Sequence, residues 1–204
     1  MTTAHRCHIF PRLHIGYDIS GTNNHSHFSH TMLQTMLSFE VDYRYTLYSS
    51  FGESYFESHV APVNPYVRGT LGPVQHNKAA AIEFWNQPQL EKALNHLHIL
   101  HSNHFWCPSQ PFNETRLIYT LSDLSFLTDS SLSSIDCFDG VFNASICADW
   151  IIATSDAIKL DFIDLFPHFP TERIHVISPS SESPVEQLLA LYHTAWTTPK
   201  KGFI

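Results

Sequence analysis

The feature that most constrains the fold is an apolar run that ends abruptly in a polar turn. In the stretch RLIYTLSDLSF, residues 116–126, four apolar or β-branched residues lead towards Ser122 and Asp123, and an apolar run resumes at once. Such a run is typical of a strand that is buried on both faces of a parallel sheet. In open α/β sheets the carboxyl ends of these strands line the ligand crevice. The stretch therefore predicts a parallel sheet with a crevice at this turn.

The same pattern recurs along the chain and alternates with helical patterns. Strands are predicted at residues 13–20, 43–50, 97–102, 116–121, 150–155 and 172–178. Helices are predicted at residues 28–39, 88–96, 137–148, 155–166 and 183–193. Residues 51–86 contain several prolines and glycines, and we expect them to be irregular. This alternation predicts an α/β fold with a doubly wound, mostly parallel Rossmann-like sheet of six or seven strands.

Composition and charge argue against several classes of protein. The formal charge is -8, and the 11 lysines and arginines are scattered, so nucleic acid is not an expected partner. No apolar run approaches the length that spans a membrane, and the first residues lack the apolar region of a signal peptide. The four cysteines lack CxxC spacing, which favours reduced thiols. We expect a cytoplasmic protein, with peripheral binding at the inner face of the cytoplasmic membrane left open.

Three longer segments carry a more specific signal. They are HIGYDISGTNNHSHFSHTMLQTML at residues 14–37, then LHILHSNHFWCP at 97–108 leading into LIYTLSDLSFL at 117–127, and finally FDGVFNASICADWIIATSDAIKLDFIDLFPHFPTERIHVIS at 138–178. In this order and at this spacing they resemble the N-terminal domain of the retaining family 4 glycosyltransferases, which have the two-domain GT-B fold. The resemblance covers most of the chain and is weak through residues 51–86.

The resemblance implies a function and a set of cleft residues. It implies the acceptor-binding domain of a transferase that moves a sugar from a nucleotide-sugar donor to a glycan or lipid-linked saccharide, in bacterial surface polysaccharide synthesis. It requires no metal and no other cofactor, and no catalytic residue is assigned. The residues that it indicates for the acceptor and donor cleft are Gly21, Thr22, Asn23, His101, Asn103, Ser122, Asp123 and Ser155.

Several of these residues also suit a local structural role. Ser122 and Asp123 are common in polar turns, and Ser155 stands where the next helix needs a cap. His101 is as well explained by a buried, hydrogen-bonded histidine as by a cleft residue. At position 122 many family members have a histidine, so the serine argues against a catalytic role there. Asp149 is expected to serve packing or capping and is not placed in the cleft.

The fifteen histidines raise the separate hypothesis of a metal site. His96 and His98 lie two residues apart, and alternation along a strand would put both on one face, where such a pair can bind zinc. No carboxylate or cysteine stands at a spacing that would complete the ligand set. We therefore expect no metal site.

The domain organisation is expected to follow the same family. Residues 1–193 are predicted to form the Rossmann-like domain, and 194–204 the start of an interdomain linker. A second domain would hold most of the nucleotide-sugar donor, so this chain alone would be incomplete and inactive. The alternative is a non-catalytic sugar- or nucleotide-binding module, or one half of a split transferase.

Overall fold

A computed structural model of the chain describes residues 12–19, 27–38, 43–48, 67–71, 78–94, 97–102, 106–127 and 132–202. The strands are β1 His14–Asp18, β2 Arg44–Tyr48, β3 Val67–Leu71, β4 Ile99–Ser102, β5 Arg116–Leu121, β6 Trp150–Ala153 and β7 Ile174–Val176. The helices are α1 His27–Ser38, α2 Lys78–Trp85, α3 Leu90–Ala93, α4 Leu132–Cys147, α5 Asp156–Leu165 and α6 Pro184–Thr197. None of the helices described combines the length and the apolar character that a bilayer crossing requires.

The seven strands form one sheet in the order β3-β2-β1-β4-β5-β6-β7, and every neighbouring pair is parallel. The chain winds outward from β1 in one direction through β2 and β3, and then returns to β4 and winds outward in the other direction. This order confirms the predicted doubly wound α/β fold. The strand order reverses between β1 and β4, and this reversal is the topological switch point.

Two apolar cores cover the two faces of the sheet. On one face, which we call the α1/α6 face, residues such as Leu33 and Tyr192 pack against Ile15 and Ile99. On the other, the α4/α5 face, helices α2 to α5 and the connection between β4 and β5 cover the strands. Both faces of the sheet are covered, so the central strands have apolar side chains on both faces. This explains the continuous apolar runs in their sequences.

The region 51–86 is more regular than its composition predicts. It contains β3, which pairs with the edge of β2 across a register shift, and α2. The sequence of β3, VRGTL, lacks a strand pattern because a glycine and an arginine interrupt it. The sequence of α2, KAAAIEFW, begins with three alanines after the lysine, and this helix propensity is a signal that the prolines and glycines around it obscured.

Several helix bounds also differ from the predicted ones. Of the described part of the helix predicted at 88–96, only Leu90–Ala93 is helical. Helix α4 begins at Leu132, ahead of the predicted start at 137, because the polar first turns carry no apolar periodicity. Helix α6 continues to Thr197, past the predicted domain boundary at 193. Two apolar residues in the last turns of α6, Tyr192 and Ala195, are fully buried, which keeps the helix on the sheet.

The buried carboxylate of Asp149 holds the residues that follow α6 against the amino edge of the sheet. Asp149 Oδ2 accepts a hydrogen bond from the backbone N–H of Leu117 at 3.0 Å and lies 3.3 Å from Lys200 Nζ. Its Oδ1 accepts from the backbone N–H of Lys201 at 3.0 Å. One side chain therefore joins β5, the start of β6 and the segment 198–202, which confirms a packing role for this aspartate.

Replacement of Asp149 by alanine is expected to destabilise the fold strongly. The change leaves the buried N–H of Leu117 without its acceptor and Lys200 without its counter-charge, so the free energy of unfolding should fall by about 3 kcal/mol. Chemical denaturation measures this change. Asp139→Ala, on the exposed side of α4, is the matched control and should cost below about 0.5 kcal/mol. Equal effects of the two substitutions would contradict the anchoring role.

The close approach of β1 to its neighbours gives a second prediction, at Gly16. A Cβ at this position would lie 2.5 Å from Leu97 Cδ1 and 3.0 Å from Leu100 Cδ1, and both leucines are buried. Gly16→Ala is therefore expected to lower the free energy of unfolding by about 1–3 kcal/mol through overpacking. Gly202→Ala, where nothing lies within 4 Å of the new Cβ, is the control for thermal or urea unfolding. An unchanged midpoint for Gly16→Ala would contradict this packing.

Candidate functional site

The candidate site is the carboxyl edge of the sheet around the switch point. Strand β1 ends at Asp18 and β4 ends at Ser102, and these two strands are the neighbours between which the order reverses. Ligands of open α/β sheets bind in the crevice outside the carboxyl ends of the strands at such a point. The polar side chains at the ends of β1, β4, β5 and β6 are therefore the candidate residues of the site.

A row of buried polar side chains crosses four neighbouring strands, β2, β1, β4 and β5, just below this edge. Asp18 pairs with Tyr48, and Ser102 pairs with Tyr119. None of the four is more than 1% exposed. Burial, with the charge of Asp18 as the next cause, holds the pKa of Tyr48 well above its ordinary value, so this phenol stays protonated. Its hydroxyl donates to the backbone carbonyl of His101 at 3.0 Å. We call these four side chains the polar row.

The polar row was not predicted from the sequence. Asp18, Tyr48 and Ser102 each stand at the last position of an apolar strand, as Ser122 and Asp123 stand just after β5. The signal that could have found them is therefore the one used for β5: a polar residue that closes an apolar run. The register between strands, which places them side by side, is absent from the sequence.

His101 lies inside the domain and not at the surface of the crevice. Its Nδ1 is 2.6 Å from the hydroxyl of Tyr192 on α6, and its Nε2 is 2.7 Å from Oγ1 of Thr120 on β5. Burial lowers the pKa of this histidine to about 3, so the ring is neutral near pH 7. With both ring nitrogens engaged, His101 joins β4, β5 and α6. The geometry favours the structural explanation of this residue.

Ser122, Asp123 and Ser155 come together at the ends of β5 and β6, where Leu121 pairs with Ala153. The carboxylate of Asp123 accepts from the backbone N–H of Ser125 at 2.7 Å and from its hydroxyl at 2.6 Å, so it braces the turn.

The serine hydroxyls at this corner differ in their availability. Ser155 Oγ accepts from the N–H of Ile158 at 3.3 Å and caps α5, as its position predicts. Ser122 has an exposed side chain, and its backbone carbonyl accepts from Thr154 Oγ1 at 3.4 Å. Ser122 is therefore the residue of this group that presents its side chain to solvent.

An open cavity of about 490 Å³ lies beside this corner of the sheet. Asp123 and Ser125 form one wall of the cavity, and Ile158, Asp161 and Asp164 of α5 form the other. The lining combines carboxylates and a hydroxyl with apolar surface. Among the residues described at the carboxyl ends of the strands there is no lysine or arginine. This arrangement suits a ligand that donates hydrogen bonds, such as a polyol, better than it suits an anion.

The remaining predicted cleft residues, Gly21, Thr22, Asn23 and Asn103, lie outside the residues that the structure describes. So does His96 of the histidine pair considered for zinc, while Nδ1 of His98 accepts a hydrogen bond from the backbone N–H of His14 at 2.9 Å. Within the described ranges, no group of three or more histidine, cysteine, aspartate and glutamate side chains is placed to hold a metal ion.

The neutral state of His101 predicts how stability depends on pH. In the unfolded chain this histidine takes up a proton near pH 6.5, but in the folded protein it does so only near pH 3. Acid therefore favours the unfolded state, and the wild type should lose about 1.4 kcal/mol per pH unit from this residue between those values. Urea unfolding of wild type and His101→Gln from pH 6.5 to 4 measures the difference. The stability advantage of the wild type should shrink as the pH falls.

A nuclear magnetic resonance titration tests the same point without a substitution. The ring of His101 should keep the signals of a neutral imidazole at pH 4. The buried geometry would be contradicted if wild type and His101→Gln lost stability equally as the pH falls. Protonation of His101 near pH 6 would contradict it as well.

The chain was compared with protein families and with curated proteins. No protein-family model matches the chain. A search of curated proteins finds no match either.

Proposed function

We propose that the chain is the acceptor-side domain of a glycosyltransferase, which uses a nucleotide-sugar donor and transfers the sugar to a saccharide or lipid-linked saccharide. The observation that carries the proposal is the acidic, hydroxyl-bearing cavity at the carboxyl edge of a doubly wound parallel sheet. The three segments that resemble the retaining family 4 enzymes contain β1, β4, β5, β6 and β7. The residues that line the cavity directly follow β5 or belong to α5, which follows β6. Retention of configuration and a role in bacterial surface polysaccharide synthesis follow from that resemblance alone.

The chemistry of the cavity supports the acceptor as its ligand. A saccharide offers several hydroxyl donors, and carboxylates such as Asp123 and Asp161 accept them in charge-assisted hydrogen bonds. A nucleotide diphosphate carries negative charge, which these carboxylates repel, and no described lysine or arginine at the strand ends offsets that charge. We therefore assign the donor's diphosphate mainly to cationic groups of a second domain.

The proposed reaction needs the acceptor hydroxyl to be held in line with the donor sugar. The acceptor oxygen forms a bond to the anomeric carbon, the bond from that carbon to the diphosphate oxygen breaks, and the hydroxyl proton passes to the departing diphosphate. Holding the two reactants in this geometry lowers the barrier by removing their freedom to move apart. In this proposal Ser122 and Asp123 position the acceptor, while the polar row below them keeps the strand ends rigid.

Calorimetric titration with oligosaccharides and with nucleotide sugars tests the proposal. We expect oligosaccharide binding in the millimolar range, weakened about tenfold by Asp123→Asn, which corresponds to about 1.4 kcal/mol. Asp139→Asn, on the exposed side of α4, is the matched control and should bind as the wild type does. Nucleotide sugars without an acceptor should bind far more weakly than they bind to two-domain transferases.

Three results would each contradict a part of this proposal. Micromolar donor binding by this chain, without saccharide binding, would favour a nucleotide-binding site within these residues. Saccharide binding that is equal in Asp123→Asn and the wild type would remove the cavity beside β5 as the acceptor site. Saccharide binding without transfer, in the presence of any donor and any candidate second domain, would favour a non-catalytic binding module.

A further inference from the structure

A second cavity lies on the α4/α5 face, between α3 and the connection from β4 to β5. Its volume of about 630 Å³ is within the usual size of ligand pockets, about 300–1,000 Å³. One wall is the segment 85–92, which contains the end of α2 and most of α3, and the other wall is the segment 108–114. The cavity shares no residue with the one beside β5, so it is a separate place for a ligand. We call it the amide cavity.

Unused hydrogen-bonding groups distinguish the lining of this cavity. It contains the amide side chains of Asn86, Gln87, Gln89, Gln110 and Asn113. Apart from that of Gln87, which donates to a backbone carbonyl, these amides make no hydrogen bond to another described residue. Each of the other four offers two N–H donors and an acceptor oxygen. The lining therefore presents neutral donors and neutral acceptors together, and both have capacity left for a ligand.

Glu91 fixes the distance between the two walls. Its Oε2 accepts a hydrogen bond from the backbone N–H of Asn113 at 2.8 Å, and its Oε1 accepts from those of Glu114 and Thr115, both at 2.7 Å. Burial acts to raise the pKa of Glu91, but the three N–H groups outweigh it and hold the pKa below its usual value. The carboxylate is therefore ionised and engaged in the wall, and it is not a free charge for a ligand.

The charges that remain at the amide cavity are balanced. Lys92 and Glu114 are exposed and carry one charge of each sign. Lys200 donates to the backbone carbonyl of Phe112 and Arg116 to that of Glu114, but neither cation lines the cavity. A ligand with a net charge therefore gains little here, in contrast to the acidic cavity beside β5.

The lining also argues against a peptide and against a purely apolar ligand. Pro88, Pro108 and Pro111 stand in the two walls and have no backbone N–H, so neither wall can form a regular ladder with an extended peptide. An apolar ligand would remove the free amides from water without replacing their hydrogen bonds, which costs free energy for each amide. The ligand that fits is neutral and carries many hydroxyl groups.

We propose that the amide cavity binds a neutral oligosaccharide. Sugar hydroxyls both donate and accept hydrogen bonds, which matches the free amides. The C–H faces of sugar rings can pack on Leu90 and Phe112, buried apolar residues that line the cavity. Trp85 also lines it, and its buried indole N–H lacks an acceptor in the described part of the chain, which leaves one further donor unused. The inference does not depend on the proposed enzymatic function, because the cavity is separate from the acceptor site.

A nuclear magnetic resonance titration tests the proposal. The full 204-residue chain, labelled with nitrogen-15, is titrated with linear hexamers of glucose, of mannose and of N-acetylglucosamine. The side-chain amide signals of Asn86 and Gln110 should shift with a dissociation constant in the millimolar range for at least one hexamer. Those of Gln34 and Gln187, which are exposed on α1 and α6, should not shift.

Matched substitutions separate the cavity from the rest of the surface. Gln110→Ala and Gln89→Ala should each weaken binding about fivefold, because each removes a hydrogen bond to the sugar. The side chain of Gln89 makes no capping bond to α3, so its loss leaves that helix intact. Gln187→Ala and Gln34→Ala are the controls, since both glutamines are exposed on other helices, and they should bind as the wild type does.

A further variant distinguishes the amide cavity from the proposed acceptor site. In Asp123→Asn the amide shifts should persist, because Asp123 does not line the amide cavity. Loss of the shifts in this variant would assign them to the carboxyl edge and overturn the inference. Saccharide binding that requires Asp123, without a shift at Gln110, would also overturn it and leave the proposed function standing.

Other outcomes would contradict the class of ligand. The absence of shifts with all three hexamers, or equal weakening by Gln110→Ala and Gln187→Ala, would show that the cavity does not bind saccharides. Tighter binding of hexagalacturonate that Lys92→Ala abolishes would identify an anionic ligand. Tighter binding of a hexapeptide of glycine and serine at the same signals would identify a peptide.

Discussion

The parallel pairing of β1 on both of its sides is the constraint on which the other parts of the molecule depend. β1 pairs with β2 on one side and with β4 on the other, and all three run in one direction. Parallel neighbours require crossovers, and right-handed crossovers that leave β1 in opposite directions cover opposite faces of the sheet. The two cores and the crevice at the carboxyl edge follow from this arrangement. The tight contact of Gly16 with Leu97 shows how closely the chain packs there.

The buried polar groups have different tasks at the two edges of the sheet. At the amino edge, Asp149 joins strands and the segment after α6 through backbone N–H groups and Lys200. Near the carboxyl edge, His101 joins β4 to β5 and α6 in a neutral network, because burial lowers its pKa. A buried group without such partners would carry a desolvation cost, so each network restricts the strands it joins to one arrangement. The strand ends that border the proposed acceptor cavity are thereby held in place.

Much of the fold could be predicted from the sequence, and less of the candidate site. The apolar runs and the cap at Ser155 are local signals, and the structure confirms the fold and that cap. Strand β3 was missed because an edge strand carries a weaker pattern, and α2 because glycines and prolines surround it. Asp123 was predicted because it stands in a polar turn that follows an apolar strand. Asp18 was missed, although it is likewise the polar residue that ends an apolar strand. The exposure of Phe138, Phe142 and Ile146 on α4 could not be predicted, because apolar residues at helical spacing are ordinarily those that a helix buries.

Local patterns in the sequence are enough for six of the seven strands described, for their alternation with helices in a parallel sheet and for the polar residues at the strand ends, because these depend on residues that are close along the chain. Tertiary structure alone decided that His101 is enclosed by Tyr192 of α6, which follows it by 91 residues, and that Asp18 lies beside Tyr48. It also decided which apolar helix face remains in contact with water. The physical reason is that burial and pairing depend on what a distant segment places opposite a residue, and this information lies in the register and packing of the whole sheet.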